Sequence, residues 1–410
     1  MSSQAILQRN RMSYEVSQPV SIKTRPHDTI LQYFERQQYK QNDTMIASLA
    51  TGKYFVDPEK SYISVNVAIA TADGSPCTGN FGSGSVANLF KNVRIFHKSG
   101  TTITSCQNND IYIKARDRII KDEFWFNTIG LQQGYVPNTA TNFNLDSRIA
   151  DGVQYKIKLA DLHGFFRGYN SSLLPPEIID GLRIELDLQT ANQALLENAG
   201  ESPIVSYELL KSNIQLCLVK VMDNAALTVY NTAQKKGLSW TYDDTFTSNK
   251  NYANNDNAIT ISVDKAVSVA KNCIVFSRDA NAQSSSEEDG YVFDFRQLNT
   301  NWNFTVGNDL YPWKKKITEP FDAYSVCLDA YQARYGVNIS PFTFFGNNGV
   351  YALNLLTDDY LEMSGVFINA NKRLNFSLQK GTDETGSLWT TCLLYTKVLR
   401  VNGTNSRVDE

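Results

Sequence analysis

The chain has 410 residues, 42% of them hydrophobic, 20% charged and 11% aromatic, with a formal net charge of −3. This length exceeds one ordinary core and predicts two domains of similar size, while the composition excludes a disordered chain. The slight acidic balance argues against a surface that neutralises nucleic-acid phosphates over a large area.

The start, Met1 to Arg9, lacks the apolar core of a signal peptide, and no stretch is apolar for the roughly eighteen residues needed to span a bilayer. The expectation is synthesis in a reducing compartment, without secretion. Six cysteines (Cys77, Cys106, Cys217, Cys273, Cys327, Cys392) form no Cys-x-x-Cys pair, and the last four sit in apolar, strand-like runs. They read as buried free thiols. The sequons Asn170-Ser171-Ser172 and Asn375-Phe376-Ser377 read as chance matches on such a route.

Residues 1–41 are polar and glutamine-rich, with six Lys/Arg against three Asp/Glu, and only Ile30, Leu31 and Phe34 suggest a short amphipathic turn after Asp28. They read as an N-terminal arm that orders against a neighbour, a scaffold or a membrane surface. From residue 44 the period becomes two. Tyr62 to Ile69 has apolar odd positions, and the alternation returns in Val153 to Leu159 and Leu182 to Leu188, where a one-residue slip would bury Arg183, Glu185 and Asp187. Asp73-Gly74-Ser75-Pro76 and Gly168 to Ser172 carry turn chemistry, and only Asp110 to Phe124 reads as a helix.

The strand Ile214 to Val221 closes the first half, and a break near 223–235 precedes Leu238 to Tyr242. The second half repeats the style in Ile259 to Val263, Tyr291 to Phe295, Val350 to Leu355, Leu374 to Leu378 and a closing run from Leu388 to Val401. Asn and Ser enrichment marks loops near 246–257 and 279–289. Each half also holds a phenylalanine pair, then a polar loop, then an alternating strand, at Phe165-Phe166 and Phe344-Phe345, a hint of duplicated architecture. The domains read as an arm (1–41), a first sandwich (42–222), a linker (223–235), a second sandwich (236–402) and a tail (403–410). Strands with helices confined to crossovers predict an all-β chain of two antiparallel sandwiches.

Three blocks resemble double jelly-roll major capsid proteins of adenovirus-like, polinton-like and virophage-like DNA viruses. They are Ser85-Val86-Ala87-Asn88-Leu89-Phe90-Lys91-Asn92-Val93-Arg94-Ile95, Leu159 to Phe166 continuing through Leu174-Pro175-Pro176 to Gly181-Leu182-Arg183-Ile184, and Tyr351 to Leu378. In that family the first block resembles a strand feeding the inter-sheet core, and the second resembles the loop and strand that close the first jelly roll. The third resembles a strand, a loop carrying Ser364-Gly365 and a further strand. The resemblance spans roughly residues 44 to 402 as a similarity of layout. It implies two jelly rolls (a double jelly roll) and a homotrimer with a pseudo-hexagonal outline that tiles an icosahedral capsid in the virion. The implied partners are the chain itself, neighbouring capsomers, penton or minor capsid proteins, and an internal membrane or scaffold through residues 1–41, with no sequence-specific nucleic acid. At this length, towers built from long loops are expected to be small or missing.

No catalytic, cofactor-binding or metal residue is expected, and the role reads as structural and not enzymatic. Gly82-Ser83-Gly84-Ser85-Val86-Ala87 matches a dinucleotide pattern, but Thr71 to Phe81 contains Pro76 and no apolar strand to feed it, so it reads as a loop. His27, His97 and His163 are isolated, with no metal-ligand spacing; His97 reads as a satisfied core or edge imidazole, and His163 as shaping the turn before Gly164. No Gly-x-Ser-x-Gly elbow is present. Asp243-Asp244, Asp358-Asp359 and Glu287-Glu288-Asp289 read as solvated loop charge, with a calcium bridge between subunits as the alternative. Trp313-Lys314-Lys315-Lys316 reads as a subunit contact or solvated edge. Two other readings remain. One is a glycan- or receptor-binding sandwich whose Tyr- and Asn-rich loops form an aromatic-lined cleft; the other is a metal-dependent sandwich enzyme.

Overall fold

The computed structural model describes residues 24–135, 144–168, 173–198, 200–222, 224–253, 256, 258–279, 289, 301–312, 315–335, 339, 344–345, 349–356, 364–379, 387–403 and 405–410. Among the described residues the first half contains twelve strands: β1 (Thr24–Tyr33), β2 (Gln38–Lys40), β3 (Thr44–Ser48), β4 (Phe55–Thr71), β5 (Thr78–Asn80), β6 (Phe90–Phe96), β7 (Thr102–Cys106), β8 (Leu145–Asp146), β9 (Val153–Lys158), β10 (Arg183–Leu188), β11 (Leu196–Glu197) and β12 (Ile204–Val221). Its two main sheets run β1-β12-β4-β9, with β2 also on β12, and β3-β10-β6-β7. A small sheet, β11-β5-β8, closes one end.

The second half contributes β13 (Leu238–Tyr252), β14 (Ala258–Val263), β15 (Val267–Asp279), β16 (Asn301–Val306), β17 (Asp309–Tyr311), β18 (Tyr351–Asn354), β19 (Val366–Ile368), β20 (Leu374–Gln379), β21 (Ser387–Asn402) and β22 (Asn405–Asp409). Its sheets run β13-β21-β15-β18 and β14-β20-β16-β17. Taken in chain order, the eight principal strands of each half occupy the same places in their sheets, which is a jelly roll built twice.

Period-two alternation sets the registers. Ile63, Val65, Val67 and Ile69 on β4 face the first core, and Ser64 pairs with Asn213 on β12. On β10, Ile184, Leu186 and Leu188 are core residues, whereas Glu185 and Asp187 take Arg94 from β6 at 3.0 and 2.7 Å. A slip would drive those charges inward. Trp302, Phe304, Tyr351 and Phe376 fill the second core, the Trp302 and Tyr351 rings lying 5.3 Å apart.

Three helices matter. The expected helix is α1 (Asn109–Ile120); it stops at Lys121, and Asp122 then caps a separate turn, Glu123–Phe126, by accepting from the Trp125 amide at 2.7 Å. The expected linker contains α2 (Asn224–Lys236), which rests on the first roll through Tyr230 against Phe55, ring centroids 5.0 Å apart. α3 (Pro320–Tyr335) was not foreseen; Pro320 starts it without losing a helical hydrogen bond.

Several boundaries differ from expectation. Residues 24–41, assigned to the arm, include β1 and β2, both paired to β12, because Phe34 and Tyr39 are buried in the first core. Residues 1–23 of that arm lie outside the described residues. The tail is β22, folded back on β21 through Gly403 at φ +61°. Residues 246–252, expected as loop, continue β13 in register with β21. The Leu182 to Ile184 block forms part of β10's approach and does not close the roll; β12 does. Tyr291 to Phe295 and most of the 279–289 loop lie outside the described residues.

Candidate functional site: the seam between the two rolls

The first strand of the second roll enters the first roll's core. Trp240 and Tyr242 on β13 belong to the same apolar cluster as Phe165, Phe166 and Ile103. Trp240 Nε1 donates to the Phe165 carbonyl at 3.0 Å, and the Tyr242 hydroxyl donates to the Ile103 carbonyl at 2.7 Å. Backbones meet at Gly164, where an added Cβ would lie 2.3 Å from the Asp243 carbonyl oxygen. Gly168, at φ +56°, gives the Trp240 ring its space. The phenylalanine pair of the sequence therefore marks this junction. Phe344-Phe345 precedes β18, whereas Phe165-Phe166 follows β9, so the two pairs are not counterparts in the duplicated order.

Asp244 is the polar centre of the seam, with a side chain 2% exposed. Its Oδ1 accepts from Thr104 Oγ1 at 2.7 Å and the Thr245 amide at 2.8 Å, and lies 3.2 Å from His163 Nε2. Its Oδ2 takes Lys397 Nζ at 2.7 Å and the Tyr395 hydroxyl at 3.2 Å. Burial alone would raise this carboxyl's pKa; the His163 hydrogen bond and the Lys397 charge outweigh it and hold the group well below the usual carboxylate range. Nδ1 of His163 accepts from the Phe165 amide at 3.1 Å, which assigns the proton to Nε2 and makes that nitrogen the donor to Asp244. Lys397 also reaches Glu410 at 2.7 Å, and Glu410 pairs with Lys265 at 2.8 Å. Asp243 is held by Lys271 at 2.7 Å.

α1 fills the space beside this network. Ile113 points into the first core, while Ile111, Tyr112, Ala115 and Ile119 pack with Ile274 and Phe276 of β15 and Cys392 and Leu394 of β21. At its far side a second buried network fixes the helix to the first roll. Asp161 receives Lys121 at 3.2 Å, Arg167 at 3.3 Å and Gln133 at 2.9 Å, and Arg116 donates to Asp117 and to the Asp161 carbonyl, both at 2.8 Å. Burial would raise the Asp161 pKa, but Lys121 and Arg116 hold it below its ordinary value. Buried charges carry a desolvation cost and persist where each is paired and hydrogen-bonded.

The residues singled out by sequence fall as follows. Asp243 and Asp244 are not solvated loop charge: both lie on β13 and are buried, because lysines distant in sequence neutralise them. Asp289 also has a structural contact, accepting from the Ser83 amide at 2.7 Å; Glu287, Glu288, Asp358 and Asp359 lie outside the described residues. The Gly82–Ser85 stretch is a loop, and Ser85 caps the short turn Val86–Leu89, its Oγ accepting from the Ala87 amide while its own amide donates to Asn88 Oδ1, both at 3.2 Å. His97 is buried between Ser99 Oγ at 2.9 Å and the Glu177 carbonyl at 3.2 Å, and burial lowers its pKa. His27 lies on β1, at the bulge between Pro26 and Asp28. Lys315 pairs with Asp322 at 3.2 Å; Trp313 and Lys314 are outside the described residues. All six cysteines are free and buried, though Cys327 is on α3 and not on a strand. Asn375 lies on β20, bonded to Ser262 at 2.7 Å; the Asn170 sequon is outside the described residues.

Among the described residues, no three His, Cys, Asp or Glu side chains converge as a metal site. A cavity of about 390 Å³ lies where α2 meets β13, β21 and β22. Lys236, Arg400 and Arg407 line it, and none of its lining residues is aromatic, so it is not the expected sugar cleft. Sequence reasoning missed Lys271, Lys397, Arg116 and Asp161. The available signal was a lone charge within an apolar strand, as with Lys271 in Val267 to Phe276 and Lys397 in Leu388 to Leu399.

No protein-family model matches the sequence, and no curated protein does. Solved structures do. The PBCV-1 virus capsid chain superposes with a TM-score of 0.66 at 10% identity, covering 97% of this chain and 99% of that one. The Faustovirus major capsid protein gives 0.66 at 7% identity over 95% and 92%. The mavirus major capsid protein gives 0.54 at 11% identity over 97% and 92%. At such identities the common property is architecture, and it extends over nearly the whole of both chains: this chain has the double jelly-roll fold of those viral major capsid proteins.

Proposed function

We propose that the chain is a major capsid protein whose homotrimer forms a pseudo-hexameric capsomer that tiles an icosahedral shell in the virion. The observation that carries this reading is the repeated strand order, locked by a buried seam: one chain supplies two similar lobes in a fixed relation, so three chains supply six. We assign residues 24–221 to the first roll, α2 to the connection and residues 238–409 to the second. The role in this reading is mechanical, spread over interfaces. Neighbouring capsomers and penton or minor proteins are further partners, and the residues ahead of Thr24 are the segment assigned to reach a neighbour, a scaffold or an inner membrane.

Light scattering of the purified chain tests the reading. A stable particle of three 46.1 kDa chains is expected. A persistent monomer at concentrations well above those of assembly would overturn it and favour the glycan- or receptor-binding sandwich.

A further inference from the structure

Where β22 joins β21, the two faces of the sheet differ. Trp240, Leu399, Val401 and Val408 pack with the first roll's core, so the intervening positions turn the other way. On that other face the registers set Ser239 on β13, Arg400 on β21 and Arg407 on β22 side by side, with Asn402 opposite Asn405 in the next row. Lys236, the last residue of α2, joins them in lining the cavity of about 390 Å³. Gly237 turns the chain from helix to strand at φ +98°, and an added Cβ there would lie 3.4 Å from the Val401 carbonyl oxygen.

The charges in this cavity do not balance. Arg400 and Arg407 lie directly opposite each other, and like charges so placed repel across a strand pair. Asp409 is shared between them, one oxygen taking Arg400 Nε at 2.7 Å and the other facing Arg407 Nε at 3.4 Å. Both contacts use Nε, so the terminal nitrogens of each guanidinium stay outside these ion pairs. Lys236 adds a third cation, with no ion-pair partner among the described residues. Three cations thus face one carboxylate. The side chains of Arg400 and Arg407 are 55% and 70% exposed, which leaves them open to a ligand from solution.

We propose that this cavity binds a compact polyphosphate anion. Its volume lies in the range of small-molecule sites. None of its lining residues is aromatic, so it offers no platform on which a nucleobase could stack, and the recognised group is the phosphate itself. The cations come from three elements, α2, β21 and β22. A phosphate cluster presents oxygens in several directions and can accept from all three, whereas guanidiniums grip such oxygens through paired N–H groups. Asp409 orients both arginines for this. Lys235 and Lys236 offset the partial negative charge at the C-terminal end of α2, which would otherwise oppose an anion. A bound anion relieves the repulsion between the opposed arginines and ties the connection between the rolls to β22. The site needs only one chain and is independent of the capsomer reading.

The test is isothermal titration of the full chain with sodium tripolyphosphate at about 50 mM salt, where exposed charges are weakly screened. Wild type is compared with Lys236→Gln, Arg400→Gln, Arg407→Gln and Arg148→Gln. Arg148 pairs with Asp146 at 2.7 Å and lies outside the cavity. One site per chain is expected in wild type and Arg148→Gln, with the same dissociation constant. Each of the three cavity variants should raise that constant by at least about tenfold, with an unchanged far-UV circular dichroism spectrum. Lys236→Gln changes no strand, so it keeps the test decisive should an arginine substitution disturb β22. Co-sedimentation with phosphatidylcholine vesicles containing phosphatidylinositol bisphosphate separates the two sources of phosphate. Capture that is lost in the cavity variants assigns a lipid headgroup, and heat without capture assigns a free anion. Neither heat nor capture in wild type, or binding unchanged in all three cavity variants, would overturn the site. Equally tight binding of citrate would overturn the phosphate assignment.

Discussion

Replacing Asp244 by asparagine keeps the side-chain shape and removes its charge. Five donors converge on the carboxylate: Thr104, the Thr245 amide, His163, Lys397 and Tyr395. Either orientation of an amide turns its NH2 group toward donors, and Lys397 keeps one anionic partner among the described residues, Glu410 at 2.7 Å, in place of two. Removing one partner of a buried ion pair costs about 3–5 kcal/mol. The remaining Glu410 contact places this variant near the lower end, about 3 kcal/mol, against a typical total of about 5–15 kcal/mol. Urea denaturation followed by circular dichroism and by tryptophan fluorescence, with Trp240 at the seam, measures it. A second substitution, Lys397→Met, removes the stranded cation and should recover part of the loss. A loss below about 1 kcal/mol for Asp244→Asn would refute the view that this carboxylate ties the rolls together. The same group sets an acid limb. Its folded pKa is depressed, so its stabilisation is fully present above the unfolded value of about 3.9 and is lost as pH falls from there through the folded value. Wild-type stability should therefore fall below about pH 4 more steeply than that of Asp244→Asn.

Three further outcomes follow from the packing. Gly164→Ala places a methyl group against the Asp243 backbone and should destabilise the chain by about 1–3 kcal/mol in the same assay; an unchanged midpoint would contradict the close approach of the two rolls. Trp302→Ala empties the centre of the second core and should cost about 3–5 kcal/mol, where a loss under about 1 kcal/mol would show that the core is not packed around it. All six thiols are buried, and burial raises the Cys327 pKa to about 12, so a thiol reagent at neutral pH should label none in the folded protein and all six in denaturant. Rapid native labelling of any cysteine would contradict its placement.

Strands were legible where one sheet face meets solvent, because alternation then survives in the sequence. Tyr62 to Ile69 and Ile259 to Val263 show this, with inner residues buried and intervening ones polar or exposed. The signal blurred where both faces are covered. Val350 to Leu355 and Leu388 to Val401 read as near-continuous apolar runs because their outward residues pack under α1 and α3. α3 lost its helical period for the same reason: Ala323 and Val326 serve one core, Cys327 and Ala330 another. β1 was hidden in a polar segment because, among its described side chains, Ile30 alone packs on the core before Phe34. The acidic pair on β13 was misread because its neutralising lysines, Lys271 and Lys397, are far away in sequence and only strand pairing brings them near. Local pattern thus conveyed the sandwiches, while the seam depended on contacts between distant segments.

In the proposed capsomer, one chain supplies two of six similar lobes in a closed ring. Electron cryomicroscopy of the purified full chain tests it most directly. A three-fold symmetric particle is expected, in which first and second rolls alternate around a near-hexagonal outline. A monomer, or a closed assembly in which first rolls meet only first rolls, would contradict it.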